Sequence, residues 1–436
     1  MEYTFARLPK SEVEISVSLP FSEFEPHVKK AAVLISESIE IEGFRKGKAP
    51  YGIVKQRVGE AAIYEQAAEL AVRASYPEAL TRLRETGELS PARPAIGKPE
   101  ITVTKLAPGN PLEYKVRVAV LPGVTLPDYR SIARRVRPGR KEQTVSEEET
   151  EAAMRWLRES RATLVTVSRA AATGDRVEVD FAIRSEGALI AGGDSRNHPF
   201  ILGNGRFIPG FEEAIEGMKQ DEEKTFSLMA PVDWRDPQFA GKTLDITATM
   251  RLVQERRMPE LTDEFAKGMG NFASLDAMQE SIRAGILAEK TEKETQRVRA
   301  AMIAEIAKEA RMEVPDVLIA GETEKMLVEL KSGVEQMGMR WPDYLTHIKK
   351  TEESLKAEWR TEGEHRVRTA LALREIGMRE RIEPSEEEVA LQVQQMLSAF
   401  RTAAQAQRSL DPAELHEYAQ GILRNEKVFA FLENRE

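Results

Sequence analysis

Apolar and polar residues alternate at Val13, Ile15, Val17 and Leu19, a period of two that predicts a half-buried strand ended by Pro20. The period then becomes helical. Phe24, Val28, Ala31, Ile35 and Ile39 share one face, behind Ser22-Glu23-Phe24-Glu25 in capping-box spacing. Gly43 interrupts, and helical pattern resumes at Pro50 and runs, with a break at Gly59, to about Thr86. Ile63, Ala67, Leu70, Ala74, Leu80 and Leu83 lie on its inner side. A hairpin follows: Ile101 and Val103, a turn over 108–111, then Tyr114, Val116, Val118 and Val120 in strict alternation. Residues 122–144, rich in proline, glycine and arginine, read as a connector with one extended stretch. Ser146 to Glu149 form a second capping box, opening a helix that carries Met154, Trp156 and Leu157 inward.

From Gly174 the period returns to two, with Val177, Val179 and Phe181 against Glu178 and Asp180. Short strands follow, broken by Gly187, Gly192-Gly193 and Gly203. After Thr262 the chain is helical to its end. One long helix runs from about Leu275 to Arg311 with Ile282, Ile286, Val298, Met302 and Ile306 buried, and another covers about 316–337. A short helix starts at Trp341-Pro342-Asp343, and a further one spans Glu352 to about Ile382. Ser385 opens a capping box, and Asp411 is an N-cap before Pro412. Many charges and only intermittent apolar residues suit extended helical arms enclosing a groove. The methionines there (Met302, Met312, Met326, Met337, Met339, Met378, Met396) are either core filler or an adaptable binding surface.

The chain has 436 residues, enough for two to four domains. With 31% charged residues, 6% aromatic and no apolar run long enough for a leader or a membrane span, it reads as cytoplasmic. A net charge of −9 argues against general coating of nucleic acid, so any contact with RNA must be local. The absence of cysteine excludes disulfide scaffolds, thiolate zinc sites and cysteine nucleophiles. The five histidines, at 27, 198, 347, 365 and 416, have no spacing that sets two ligands on one helix face. No metal and no cofactor is expected. No serine sits in a nucleophile-elbow motif, so an enzyme here is one that needs no nucleophile.

The stretch Gly43-Phe44-Arg45-Lys46-Gly47-Lys48-Ala49-Pro50 brings three cations and an aromatic to a tip bracketed by glycines, with Pro50 suited to the first turn of a new helix. Such a tip calls for an acidic or phosphate-bearing partner with an apolar notch. Gly43-Phe44-Arg45-x-Gly47-x-x-Pro50 resembles the ribosome-docking signature of the trigger factor family. The resemblance implies that Gly43, Phe44, Arg45, Lys46, Gly47 and Pro50 meet the ribosome, at an exit-tunnel protein and adjacent rRNA.

The run from Gly203 to Glu213 lacks the spacing of a nucleotide loop, but suits a turn into a short helix with an apolar floor. Ile208-Pro209-Gly210-Phe211-Glu212, with Glu216-Gly217-Met218, Gly174 to Val177 and Gly241-Lys242-Thr243, resembles the FK506-binding-protein class of peptidyl-prolyl isomerases over residues 170–255. The resemblance places Phe211 at the cleft floor, Phe207 and Ile208 beside it, Phe200 as a wall, Phe181 where small members carry tyrosine, and Trp234 in the overhanging loop. Ile190-Ala191, His198 and Ile246 depart from the usual aromatics and carboxylate, which implies modest activity.

The expected fold class is α+β and multidomain. It comprises a docking module over 1–121, a segment over 122–169 lying along the C-terminal helices, an isomerase sheet with a short helix over 170–257, and an extended all-α chaperone module over 258–436. The resemblance as a whole implies a chaperone that docks on the ribosome, holds nascent and unfolded polypeptides without ATP and catalyses prolyl isomerisation. A free isomerase, and a scaffold whose isomerase domain is weak or inactive, are the alternatives. No membrane contact is expected, and a homodimer off the ribosome is left open.

Overall fold

The computed structural model describes residues 1–434 except 206, 235, 237 and 399–411. The Asp411 cap, and Arg206 within the 203–213 run, lie outside the described residues. The chain folds as two compact units, one of residues 1–140 with 295–436 and the other of 141–294.

The first unit opens with β1 (Glu2–Leu8) and β2 (Glu12–Leu19), which pair antiparallel. With β3 (Ala95–Lys105) and β4 (Leu112–Val120) they form a sheet in the order β1-β2-β4-β3. The alternating sets of β2 and β4 (Val13, Ile15, Val17, Leu19; Leu112, Tyr114, Val116, Val118, Val120) are all buried. They meet the apolar faces of α1 (Phe21–Ser38) and α3 (Glu60–Glu85) in one core, each such side chain contributing roughly 1.5–3 kcal/mol. Tyr114 keeps its hydroxyl satisfied 2.6 Å from Ser75 Oγ of α3. β1 escapes the sequence reading because its apolar positions, Tyr3, Phe5 and Leu8, do not keep one period and none is fully buried.

Helix α1 begins two residues earlier than its capping-box spacing predicts. The Pro20 carbonyl accepts from Glu23 N and Phe24 N, so Ser22 lies inside the first turn and caps nothing. Glu23 instead meets the N-terminal amine at 3.1 Å. After the 43–50 loop come α2 (Tyr51–Val58), a break at Gly59, and α3.

The 122–144 segment is not merely a connector. It contains α4 (Tyr129–Val136) and a 3-10 turn (Arg137–Gly139). Asp128 caps this helix by accepting from Ser131 N at 3.0 Å, and Tyr129, Ile132 and Ala133 form its buried stripe. Arginines obscured the stripe in the sequence, yet they are what fasten it. Arg130 pairs with Glu380 at 2.9 Å and Arg135 with Glu309 at 3.0 Å, while Tyr129 also donates to Glu380. Beneath lies a core shared with α8 (Leu275–Glu309), α12 (Arg360–Arg379) and α14 (Pro412–Glu433), through Met302, Ile306, Ile376 and Val428. The remaining helices are α9 (Asp316–Gln336), α10 (Trp341–Ile348), α11 (Glu352–Glu358) and α13 (Glu386–Ser398). The single helix expected over 352–382 is thus two, joined at Trp359. The capping box at Ser385 forms, its hydroxyl accepting from Glu388 N at 3.3 Å. The methionines differ in exposure: Met302 is buried at 0% and Met337 stands out at 75%.

The second unit is built on a five-stranded antiparallel sheet. Its strands are β5 (Thr163–Thr166), β6 (Arg176–Ser185), β7 (Ala188–Ile201), β8 (Glu223–Met229) and β9 (Thr243–Arg257), with the short α6 (Phe211–Ile215) against it. β5 is a short edge strand that the sequence pattern does not reveal. Flanking it, α5 (Glu147–Ser160) packs Met154 and Leu157 with α7 (Asp263–Met269) and the start of α8. Its capping box at Ser146 is complete. Trp156, expected inward, is 68% exposed. Two residues from Met154 it sits about 200° around the helix, off the stripe that Met154 and Leu157 share.

Candidate functional site

In the second unit, β6, β7, the 203–210 turn and α6 converge on one aromatic cluster. Phe181 comes from β6, Phe200 and His198 from β7, Phe207 from the turn and Phe211 from the first position of α6. Phe207 stacks on Phe211 with centroids 4.6 Å apart at 19°, and Phe200 lies 4.6 Å from Phe207. Phe181 meets Phe207 at 5.7 Å and Phe211 at 5.8 Å, both edge-to-face. These are the geometries that aromatic quadrupoles favour. Phe211 is the floor, 1% exposed, with Ile208 and Phe200 each at 7%. Phe181 and Phe207 remain partly open, and Trp234 packs half-buried against the same core.

Local chemistry forces this arrangement. Gly210 holds φ +93°, and a Cβ there would stand 2.8 Å from Leu228 Cδ2. Glu212, itself buried, turns its carboxylate back to accept from Gly203 N at 2.6 Å and Gly205 N at 3.2 Å, closing the turn that carries Phe207 and Ile208. At the base of the turn, Arg169 forms a bidentate pair with buried Asp175 at 2.6 and 2.9 Å, and Ala172 N donates to the same carboxylate at 3.0 Å. Burial pushes the Asp175 carboxyl up, but the Arg169 and Ala172 bonds outweigh it and hold it below the usual range.

The sequence reading missed two members. Phe226 of β8 meets Phe211 edge-to-face at 5.9 Å, and its alternation with Leu228 is the signal that would have found it. Ser195 places its hydroxyl 3.3 Å from His198 Nδ1. Ile246 is wholly buried in the sheet between Ile183 and Phe226, so it backs the core. Among the described residues no cluster of three or more His, Asp or Glu side chains is placed to hold a metal. The cluster offers an apolar, ring-walled surface.

The other predicted residues stay together in the first unit. Gly43 and Gly47 take φ +83° and +76°, and Pro50 caps α2 from the position before the helix, with Tyr51 first inside it. The loop is fastened on both sides: Ile41 is buried in the core, and Gly47 N donates to Ser36 O of α1 at 3.1 Å. Phe44 is 42% exposed, and Arg45, Lys46 and Lys48 are exposed without an ion-pair partner among the described residues.

Comparison with known proteins gives matches along the chain. Family models described as bacterial trigger factor protein match residues 1–157 and, for its C-terminus, 274–433. One described as FKBP-type peptidyl-prolyl cis-trans isomerase matches 167–253. Trigger factor of Moorella thermoacetica is 31% identical over 92% of this chain and 87% of its own length. That of Carboxydothermus hydrogenoformans is 30% identical over 100% and 99% respectively. A solved structure described under promiscuous substrate recognition by the trigger factor chaperone aligns over both whole chains at 19% identity and a TM-score of 0.49, too loose to bear on the assignment. No helix among the described residues is long and apolar enough to cross a membrane. The chain belongs to the trigger factor family: it is a chaperone that carries an FKBP-type peptidyl-prolyl isomerase domain.

Proposed function

We propose that this chaperone docks on the ribosome through the 43–50 loop, beside the exit tunnel, and there receives nascent chains. The observation that carries this reading is an aromatic ring and three cations displayed on a loop pinned at both ends. Phe44 fills an apolar notch on a tunnel-exit protein, while Arg45 and Lys46 meet acidic side chains or rRNA phosphates. Gly43, Gly47 and Pro50 set the loop's shape. The site of action is the cytoplasm, where ribosomes are.

Clients are held by weak apolar contacts that need no ATP. Val328, Met337 and Met339 on and after α9, with Leu391 of α13 and Tyr418 of α14, are exposed to the extent of 44–75% and supply adaptable surface for chains of any sequence. The functional modules follow the boundaries 1–121, 122–169, 170–257 and 258–436.

The prolyl cleft is formed by Phe181, Phe200, Phe207, Ile208, Phe211 and Trp234. Amide rotation is opposed by resonance, with a barrier of about 18–20 kcal/mol for an ordinary peptide bond. Taking the prolyl imide from water into a ring-lined surface disfavours its charge-separated planar form and so favours the twisted one. With His198 and Ile190 in place of larger aromatics the hold on the twisted imide is loose, and activity is modest.

The test is co-sedimentation with ribosomes. Replacing Phe44, Arg45 and Lys46 together by alanine should abolish it, while suppression of aggregation of a denatured protein is retained. Unchanged sedimentation would sink the docking reading, and loss of aggregation suppression with it would show that the loop itself holds clients.

A further inference from the structure

A cavity of about 960 Å³ opens in the first unit, where the β-sheet module meets the helices. One wall comes from the β1–β2 turn, Arg93 and the segment after β4. The other comes from residues 310–313, between α8 and α9, and from Arg368 of α12. No residue of the docking loop or of the aromatic cluster is among the described residues that line it. Its volume is that of a small-molecule site. We propose that this cavity binds a short phosphate chain, of two or three linked phosphoryl groups, through Arg93, Arg311 and Arg368.

The way these arginines are held points to an anion. Four arginines and three glutamates line the cavity, and one pair, Arg7 with Glu88 at 2.6 Å, satisfies itself. Arg93, Arg311 and Arg368 have no carboxylate partner among the described residues. Arg93 Nε donates to the Leu121 carbonyl at 3.4 Å. One nitrogen of Arg368 donates to the carbonyls of Ala307 and Ala310 at 3.0 and 2.9 Å. Arg311 is fixed through its backbone, which exchanges bonds of 2.9 and 3.0 Å with Thr125. A carbonyl positions a guanidinium without neutralising it, and most of its five N–H donors stay open. The remaining glutamates are drawn away: Glu12 lies 3.8 Å from Arg117, and Glu313 accepts from Ser11 N at 3.4 Å.

Planar guanidinium forks match phosphate oxygens two at a time, and each such bond is charge-assisted. A single carboxylate answers one fork and leaves two unmet, whereas a phosphate chain answers all three. None of the described lining residues is aromatic, so the cavity has no platform on which a base could stack. The chemistry it reads is the phosphate chain itself, whether free or as the tail of a nucleotide. Arg93 belongs to the sheet module, and Arg311 and Arg368 to the helices, so a bound chain spans the junction. It adds to the exposed polar ties already there, Lys10 to Asp316 at 2.7 Å and Ser11 Oγ to the Glu313 carbonyl at 2.9 Å. Exposed ties of this kind contribute little, and occupancy therefore firms the joint between the sheet module and the helices.

The experiment is calorimetric titration of the full-length protein with tripolyphosphate in magnesium-free buffer, with orthophosphate, ATP, adenosine and a glutamate heptapeptide as parallel arms. Tripolyphosphate should bind at one saturable site, at least about tenfold tighter than orthophosphate, because it engages more than one fork. ATP should bind no more tightly than tripolyphosphate, and adenosine not at all. Equal affinities assign the site to the phosphate tail from either source, and a weaker ATP assigns it to the free chain. Arg311→Gln and Arg93→Gln should each weaken tripolyphosphate at least about fivefold. The Arg311 side chain is exposed, so its replacement leaves the fold intact. Melting provides a second readout: tripolyphosphate should raise the melting temperature of wild type and leave that of Arg311→Gln unmoved. The variant with alanine at 44, 45 and 46 should bind tripolyphosphate as wild type does, which separates this cavity from the basic loop. Unsaturable binding, affinity lost with the loop cations or kept in both glutamine variants, tighter binding of ATP, or equal binding of the heptapeptide overturns the proposal.

Discussion

Phe44 of the docking loop is 42% exposed and Phe211 of the cleft is 1% exposed, yet each is the aromatic on which a proposed function turns. The loop is a continuous stretch whose side chains face water, and its shape is set by two positive-φ glycines and one hydrogen bond to α1. The cleft is assembled from β6, β7, a turn and α6, and its side chains hold one another. A surface made for a large partner can leave its stability to the fold beneath it. A surface made to desolvate one imide has to be part of a core. The two sites should therefore respond to mutation in opposite ways.

The largest effects test that opposition directly. The loop variant carrying alanine at 44, 45 and 46 loses docking, but its melting temperature should stay within about 1–2 °C of wild type, since exposed residues contribute little to stability. Phe211→Ala should do the reverse. Truncating a buried phenylalanine costs about 3–5 kcal/mol, so the 141–294 unit melts earlier and acceleration of proline-limited refolding disappears, while ribosome binding is spared. Refolding assays and co-sedimentation of both variants check it. A loop variant that unfolds, or a Phe211 variant that stops docking, breaks the comparison.

The same contrast explains what could be read in advance. The loop was legible because all its information is contiguous: Gly43 to Pro50 states the turn, the charge and the display in one line. The floor of the cleft was legible too, since Ile208 to Glu212 is local. Its walls were not fully so. Phe226 enters only because β8 and β9 pair in one register, and Ser195 meets His198 only across a register shift between β6 and β7. In the first unit, α4 was hidden because its arginines look like linker composition until Glu380 and Glu309 appear opposite them. Trp156 went wrong for the opposite reason: a large aromatic draws attention inward, whereas its place on the helix turns it to water.

A middle-sized effect sharpens the claim that the cleft is a core element. Asp175 braces the base of the 203–210 turn through Arg169 and Ala172, and its carboxyl is held below the ordinary range. A depressed carboxylate contributes stability that is fully present above the unfolded value near 3.8 and is lost as pH falls through the folded value. Asp175→Asn should therefore cost about 2 kcal/mol at neutral pH, in the range of hydrogen bonds to charged groups. The difference from wild type should close below that value. Chemical denaturation at pH 7 and pH 3 measures it, and an equal deficit at both would show that shape rather than charge matters.

The smallest effect asks whether the loop's shape matters apart from its charges. Gly47 and Gly43 both sit at positive φ, where an alanine pays roughly 1–2 kcal/mol. They differ in what surrounds them. A Cβ at Gly47 would stand 2.8 Å from Glu37 Cγ, beside the bond that ties Gly47 N to Ser36 O, whereas nothing lies within 4 Å of a Cβ at Gly43. Gly47→Ala therefore displaces the anchor as well as straining the turn, and Gly43→Ala only strains it. With every cation still in place, ribosome affinity should fall about three- to tenfold for Gly47→Ala, the equivalent of roughly 0.7–1.4 kcal/mol, and less for Gly43→Ala. Titration of labelled protein with ribosomes resolves the difference. Equal, unchanged affinities would mean that the loop adapts to its partner on contact, and that the pinning by Ser36 serves the fold of α1 rather than docking.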